Sequence, residues 1–373
     1  HKMAHAVGGL IKFLRMKRLK LIINLTMTLL LITILAQATG FDTINGLKYL
    51  IDTEKNEATL VANDPVYSGD FIVPEKITSY GKDYPVTALG NNCFYNCSGL
   101  TSITIPSSVT SFGNNCFYYC GGLTSITIPS SVTSLGSYCF YGCSGLTSIT
   151  ILSSIASLGD YCFYNCNKLT SFTIPSSVTS LGNYCFSSCY RLISITIPSS
   201  VTSLGIFCFS GCTGLASITI PSSVTSLGDR CFGSCINLTT LIIPSSVTSL
   251  GNSCFYWCYR LTSITIPSSV TSLGDYCFWK CSGLTSITLP SSINSLGNNF
   301  FDSCSNLASI TIPSSVTSLG SNCFSGCSKL TSIICYANTP PICQSVSEGL
   351  CILYVPQASI DQYKAADGWK SFP

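Results

Sequence analysis

The chain has 373 residues, 46% of them hydrophobic and only 9% charged, with 24 cysteines and a formal net charge of +3. High hydrophobicity with low charge excludes intrinsic disorder. Past residue 40, Ser, Thr, Gly or Asn interrupts every apolar run before it reaches the roughly 20 residues of a membrane span, and +3 over this length makes no case for nucleic acid as a partner.

The N-terminus reads as an address. Met16-Lys-Arg-Leu-Lys20 is basic, Leu21 to Leu35 is a short apolar core, and Ala36-Gln37-Ala38 is a small-residue site. That order predicts a secretory signal peptide over 16–38, cleaved after Ala38. An uncleaved membrane anchor is the rival reading. However, a 15-residue core that includes Asn24, Thr26 and Thr28 is short for a span. Membrane contact is therefore expected only through this signal during export. Residues 1–15 precede the start methionine and read as upstream sequence. Loss of residues 1–38 leaves 12 basic against 15 acidic residues, net −3, and no histidine, since His1 and His5 are the only two.

Residues 39–99, which hold most of the acidic residues, form an N-terminal cap and an irregular first repeat. From Leu100 the chain repeats every 23 residues, and ten complete units fill 100–329. Units this similar share one local structure and must stack, because a single coil cannot bury its own apolar face. Within a unit, Ser102-Ile103-Thr104-Ile105 alternates as a strand with the isoleucines inward. Pro106 ends it, and Val109 and Phe112 re-enter the core. After Gly113 comes a slot filled by Asn, Asp or Ser in every unit but one, where it is Ile206. Such residues cap helices, so a one- or two-turn helix is predicted over Cys-Phe-x-x-Cys. Residues 330–373 make a degenerate repeat and a C-terminal cap. The expected architecture is an α/β solenoid, with a parallel β-sheet on one face and short helices on the other.

The unit L-x-x-I-x-I-P-x-x-V-x-x-[IL]-G-x-x-[AC]-F-x-x-C resembles the BspA-type leucine-rich repeat. The closing Cys335-Tyr-Ala-Asn-Thr-Pro-Pro341, Tyr354-Val-Pro356 and Tyr363-to-Trp369 segments resemble the C-terminal cap of bacterial members. The resemblance implies a right-handed leucine-rich-repeat superhelix. It also implies a secreted or cell-surface location and an adhesion or protein-interaction role, binding host matrix proteins or other cells. The protein or glycan ligands would lie on host or microbial surfaces. One departure is cysteine in the first helical slot, where the family often has alanine.

Twenty-one of the 24 cysteines fall in the two slots of the repeats. Within one unit, helical i, i+4 pairs stand too far apart for a disulfide, which leaves bonds between neighbouring coils as the alternative to free thiols. Phe300 fills one first-cysteine slot, which marks that slot as apolar core. The x₃ spacing and the lack of mature histidine disfavour zinc. The cysteines are expected to be buried free thiols, with room for one disulfide among Cys335, Cys343 and Cys351.

No enzyme is expected, and neither cofactor nor metal. Without histidine, the Ser-His and Cys-His mechanisms have no base. The repeats hold only four carboxylates, Asp160, Asp229, Asp275 and Asp302, and three of these sit in the capping slot. Binding is more promising. The strand face is a uniform array of Ser and Thr, whereas variation concentrates on the opposite side. There Tyr138, Tyr161 and Tyr184 precede the first cysteine, and Tyr118, Tyr141, Tyr164, Tyr256 and Trp279 lie one slot past the phenylalanine. Trp257, Tyr190-Arg191 and Tyr259-Arg260 adjoin them. Tyr, Trp and Arg are the residues enriched at binding hot spots. The competing readings are that the rings only cover the layer beneath them, and that the rod is a passive spacer.

Overall fold

The computed structural model describes residues 15–27, 39–152, 155–344, 346 and 351–372. Residues 15–27 are helical and exposed, and no described helix is long and apolar enough to cross a membrane. The rest of the predicted signal, including Ala36 to Ala38, lies outside the described residues.

The chain folds as a right-handed leucine-rich-repeat solenoid with a parallel sheet. Strands β1 (Thr39–Ile44), β2 (Leu47–Asp52) and β3 (Glu57–Leu60) form an antiparallel meander at its start. Strand β4 (Gly69–Ile72) lies parallel to the first repeat strand, while β5 (Lys76–Ser79) and β6 (Lys82–Leu89) form a hairpin. β6 then runs parallel to β3 and joins the cap to the array.

Each coil contributes two strands. The first, as in β7 (Leu100–Thr104), points Ile103 inward and Ser102 and Thr104 outward. The second, as in β8 (Ser111–Phe112), is two residues long. Both pair with their equivalents one repeat away, Ser125 with Ser148 and Ser111 with Ser134. Register is fixed because a one-residue slip would expose the isoleucines and bury the hydroxyls.

Inside, one phenylalanine per coil stacks on the next, from Phe94–Phe117 at 5.0 Å to Phe301–Phe324 at 5.7 Å. Phe300 fits its cysteine slot by meeting Phe301 edge-on at 4.7 Å. At the far end, the strand Ser332–Cys335 pairs with Ile352–Tyr354. Trp369 is buried against the short helix Ile360–Ala365, donating Nε1–H to Pro341 O at 2.7 Å.

On the third side of each coil the expected short helical segment takes the form of separate single turns rather than continuous α-helix. It consists of single turns with i→i+3 bonds, Cys93 N–H to Gly90 O, Tyr95 to Asn92 and Cys97 to Phe94. The alternate N–H groups instead reach the next coil, Asn92 to Asn114 O, Phe94 to Cys116 O and Asn96 to Tyr118 O. Asn92 and Asn96 both have φ of +57°, which no continuous helix allows. These six donors are thus satisfied, half of them within the coil and half between coils.

The capping slot also acts between coils. Asn91 Oδ1 accepts from Asn114 N–H at 2.8 Å, Asp160 from Asn183 at 2.7 Å and Asp229 from Asn252 at 2.7 Å. These side chains do not cap a helix in their own unit. They accept the N–H of the residue in the same slot of the next coil. Glycine precedes the slot because the coils touch there: a Cβ on Gly113 would meet Asn91 N and the Gly90 carbonyl carbon, far inside contact distance.

Candidate binding surface

The turns present two tyrosine ladders. In one, Tyr95, Tyr118, Tyr141 and Tyr164 stack at 4.9, 4.6 and 4.7 Å between centroids, with nearly parallel rings. In the other, Tyr138, Tyr161, Tyr184 and Phe207 stack at 4.7, 4.5 and 4.4 Å. The ladders touch each other, Tyr138 with Tyr141 at 5.9 Å and Tyr161 with Tyr164 at 5.7 Å. The repeat period causes this: equal slots recur at the ~4.8 Å spacing of parallel strands, close to the offset-stacking distance of aromatic rings. Burial, followed by the neighbouring phenols, pushes the Tyr118, Tyr141 and Tyr161 hydroxyls above the usual tyrosine range.

The second ladder sits on strained backbone. Tyr138, Tyr161, Tyr184 and Phe207 have φ between 55° and 58°, the left-handed region. Other coils fill the same slot with Asn115, Ser253 or Asn299. A bulky side chain there costs about 1–2 kcal/mol. Each stacked pair contributes about 0.5–1.5 kcal/mol, which offsets that cost.

Cations continue the aromatic columns. Arg230 occupies the slot after Phe207, 5.0 Å from that ring and 5.4 Å from Tyr256. Lys280 follows Trp257 in its own slot, 5.4 Å from Trp257 and 4.8 Å from Trp279. Tyr256, Trp257 and Trp279 thus form a second, cation-containing cluster, with Tyr256 and Trp257 at 5.8 Å and the two tryptophans at 6.0 Å. Tyr190, Arg191, Tyr259 and Arg260 lie in slots beside these groups and are exposed. Arg230, Lys280, Tyr119 and Tyr276 were not among the sequence candidates. Reading every unit in 23-residue register, slot by slot, finds all four: Arg230 and Tyr276 share the slot of Tyr138, and Lys280 and Tyr119 that of Trp257.

The cysteines form two buried columns of free thiols. Thiols of neighbouring coils touch, Cys97 with Cys120 and Cys120 with Cys143. Burial raises the pKa of Cys185, Cys212 and Cys231, and that of Cys189 to about 12, so these thiols are poor nucleophiles. Cys335, Cys343 and Cys351 are also free, and Cys335 Sγ accepts the Tyr363 hydroxyl at 3.2 Å. No group of three or more metal-ligating side chains is found among the described residues.

The fold and this layered turn face define a leucine-rich-repeat solenoid. The chain belongs to the BspA type leucine-rich repeat family, whose repeat region matches residues 75–193, 179–268 and 248–355. It is similar to a leucine-rich cell surface protein from Faecalibacterium prausnitzii, at 26% identity over 88% of this chain and 98% of that one, with a TM-score of 0.56. A leucine-rich repeat protein from Bacteroides ovatus shares 24% identity over 86% and 92% of the two chains, with a TM-score of 0.55. No curated protein matches the chain.

Proposed function

We propose that this protein is exported, through the segment 16–38, and acts at a microbial surface as an adhesion or interaction module whose turn face holds the partner. Tyrosine in left-handed slots carries the reading: Tyr138, Tyr161 and Tyr184 stand where asparagine, serine or glycine would meet less strain. The Ser and Thr of the strand face vary little, so the turn face is where this chain differs from coil to coil. The cell-surface relative from F. prausnitzii supports the location. Half-exposed Tyr118, Tyr141, Tyr164, Tyr256, Trp257 and Trp279 supply aromatic area at low entropic cost. The test is binding of the full chain to immobilised host matrix proteins and to cells. Combined Tyr141→Ser, Tyr164→Ser and Trp279→Ser should abolish binding while the far-UV spectrum is kept. Unchanged binding would leave the rod as a spacer.

A further inference from the structure

Tyr190-Arg191 and Tyr259-Arg260 occupy the same two slots, three repeats apart. At strand spacing that is ~14 Å along the axis. The two tyrosines are 48% and 41% exposed. Tyr190 stacks on no ring among the described residues, and Tyr259 meets only Trp257, loosely, at 6.3 Å. Tyr190 therefore has both ring faces free of other rings and Tyr259 has one, whereas the ladder tyrosines are stacked by neighbours. In the next coil the same slots hold Thr213-Gly214 and Ser282-Gly283, so a low step borders each pair.

The charge is open as well. Ion pairs among the described residues lie in the caps, on Lys55, Lys76 and Lys370, and none involves Arg191 or Arg260. The arginine slot also carries Lys168 and Lys329 and no carboxylate. Asp160, Asp229 and Asp275 stand in the capping slot, where their oxygens accept backbone N–H groups.

An open aromatic face beside an unpaired guanidinium fits a sugar that bears an acid. The C–H face of the sugar packs on the ring, and a carboxylate or sulfate takes paired N–H donors from arginine. Single-stranded nucleic acid stacks successive bases on a run of aromatic rings along a basic groove, and two lone rings ~14 Å apart provide no such run. We propose that the two Tyr-Arg pairs are subsites for one anionic glycan chain. This rests on the reading of the turn face as a binding surface, and uses residues apart from the ladders.

The experiment measures binding of the full chain to immobilised heparin, hyaluronan, dextran and single-stranded DNA. Heparin or hyaluronan should bind at least about tenfold more tightly than dextran or DNA. Hyaluronan binding assigns a carboxylate, and heparin binding alone assigns a sulfate. Paired Tyr190→Ser with Tyr259→Ser, and paired Arg191→Gln with Arg260→Gln, should each weaken binding about tenfold at unchanged thermal stability. Equal binding to DNA, no binding to either acidic glycan, or loss on the arginine but not the tyrosine substitutions overturns the proposal. Retained adhesion to matrix proteins in these variants would leave the ladder reading standing by itself.

Discussion

Cys120 donates its thiol hydrogen to the carbonyl of Phe94 in the preceding coil, at 3.0 Å. The bond recurs in nine further coils, from Cys143–Phe117 to Cys327–Phe301, at 3.0 to 3.3 Å. No first-column thiol donates to backbone among the described residues. Alanine at either column removes one buried sulfur, but only the second column leaves a carbonyl one bond short. Cys212→Ala should therefore destabilise by about 0.5–1.5 kcal/mol more than Cys208→Ala. Urea unfolding of the two variants measures the difference, and equal midpoints would refute the thiol bond.

Thiol reagents should discriminate sharply between the folded and unfolded chain. Of the 24 thiols, only Cys327 and Cys343 are half-buried and the rest are buried. Without reductant, a native sample should label at no more than those two, and a denatured one at all 24. A denatured count below half would mean that the columns are oxidised.

Alkaline pH should unfold the array. Burial holds Cys185, Cys212, Cys231 and Cys258 well above the ordinary 9.0 of a thiol, and Cys189 at about 12. Tyr141 lies above the ordinary 10.0 for the same reason. The folded chain keeps protons that the unfolded chain releases, so stability is full below pH 9 and falls as pH rises above it. Urea midpoints taken in steps from neutral pH upward should decline from that point, and a flat profile would contradict the burial.

Repetition made most of the fold legible from the sequence. The isoleucines of β7 alternate with exposed hydroxyls, and Phe300 in a cysteine slot correctly marked that slot as core. The turn was harder to read. Asn114 looks like a helix cap when one unit is read alone, yet it bonds Ser137 N–H of the next coil at 2.9 Å. Local pattern cannot distinguish a donor satisfied within a unit from one satisfied between units. The same limit hid Arg230: its cation–π contacts are to Phe207 and Tyr256, each 23 or more residues away.

Filling the gap in the capping column should stabilise the rod. Ile206 donates its N–H to Asn183 Oδ1 at 3.0 Å and its carbonyl accepts from Tyr184 N–H, but its side chain offers no acceptor to Asp229 in the next coil. Its side chain is 41% exposed, so little packing is lost on replacement. Ile206→Asn should add about 0.5–1.5 kcal/mol by restoring that bond. Urea unfolding checks it, with Asn183→Ala as the opposite change. A loss of stability in Ile206→Asn would mean that the isoleucine packs better than its exposure suggests.

Gly233 makes room for an aromatic ring, and that dependence can be tested directly. A Cβ at position 233 would overlap the Tyr256 ring, which reaches back over this glycine toward Arg230. Gly233→Ala must therefore turn Tyr256 away, at about 1–3 kcal/mol for the overpacking. It should also separate Tyr256 from Arg230, now 5.4 Å from the ring centroid. Tyr256→Ala alone removes the ring and its stacking. The double variant has no ring to clash with, so its stability should match Tyr256→Ala rather than the sum of the two losses. If partner binding uses this cluster, Gly233→Ala should weaken it as much as Tyr256→Ala does. Additive stability losses would place the Tyr256 ring elsewhere and remove it from the cation-containing cluster.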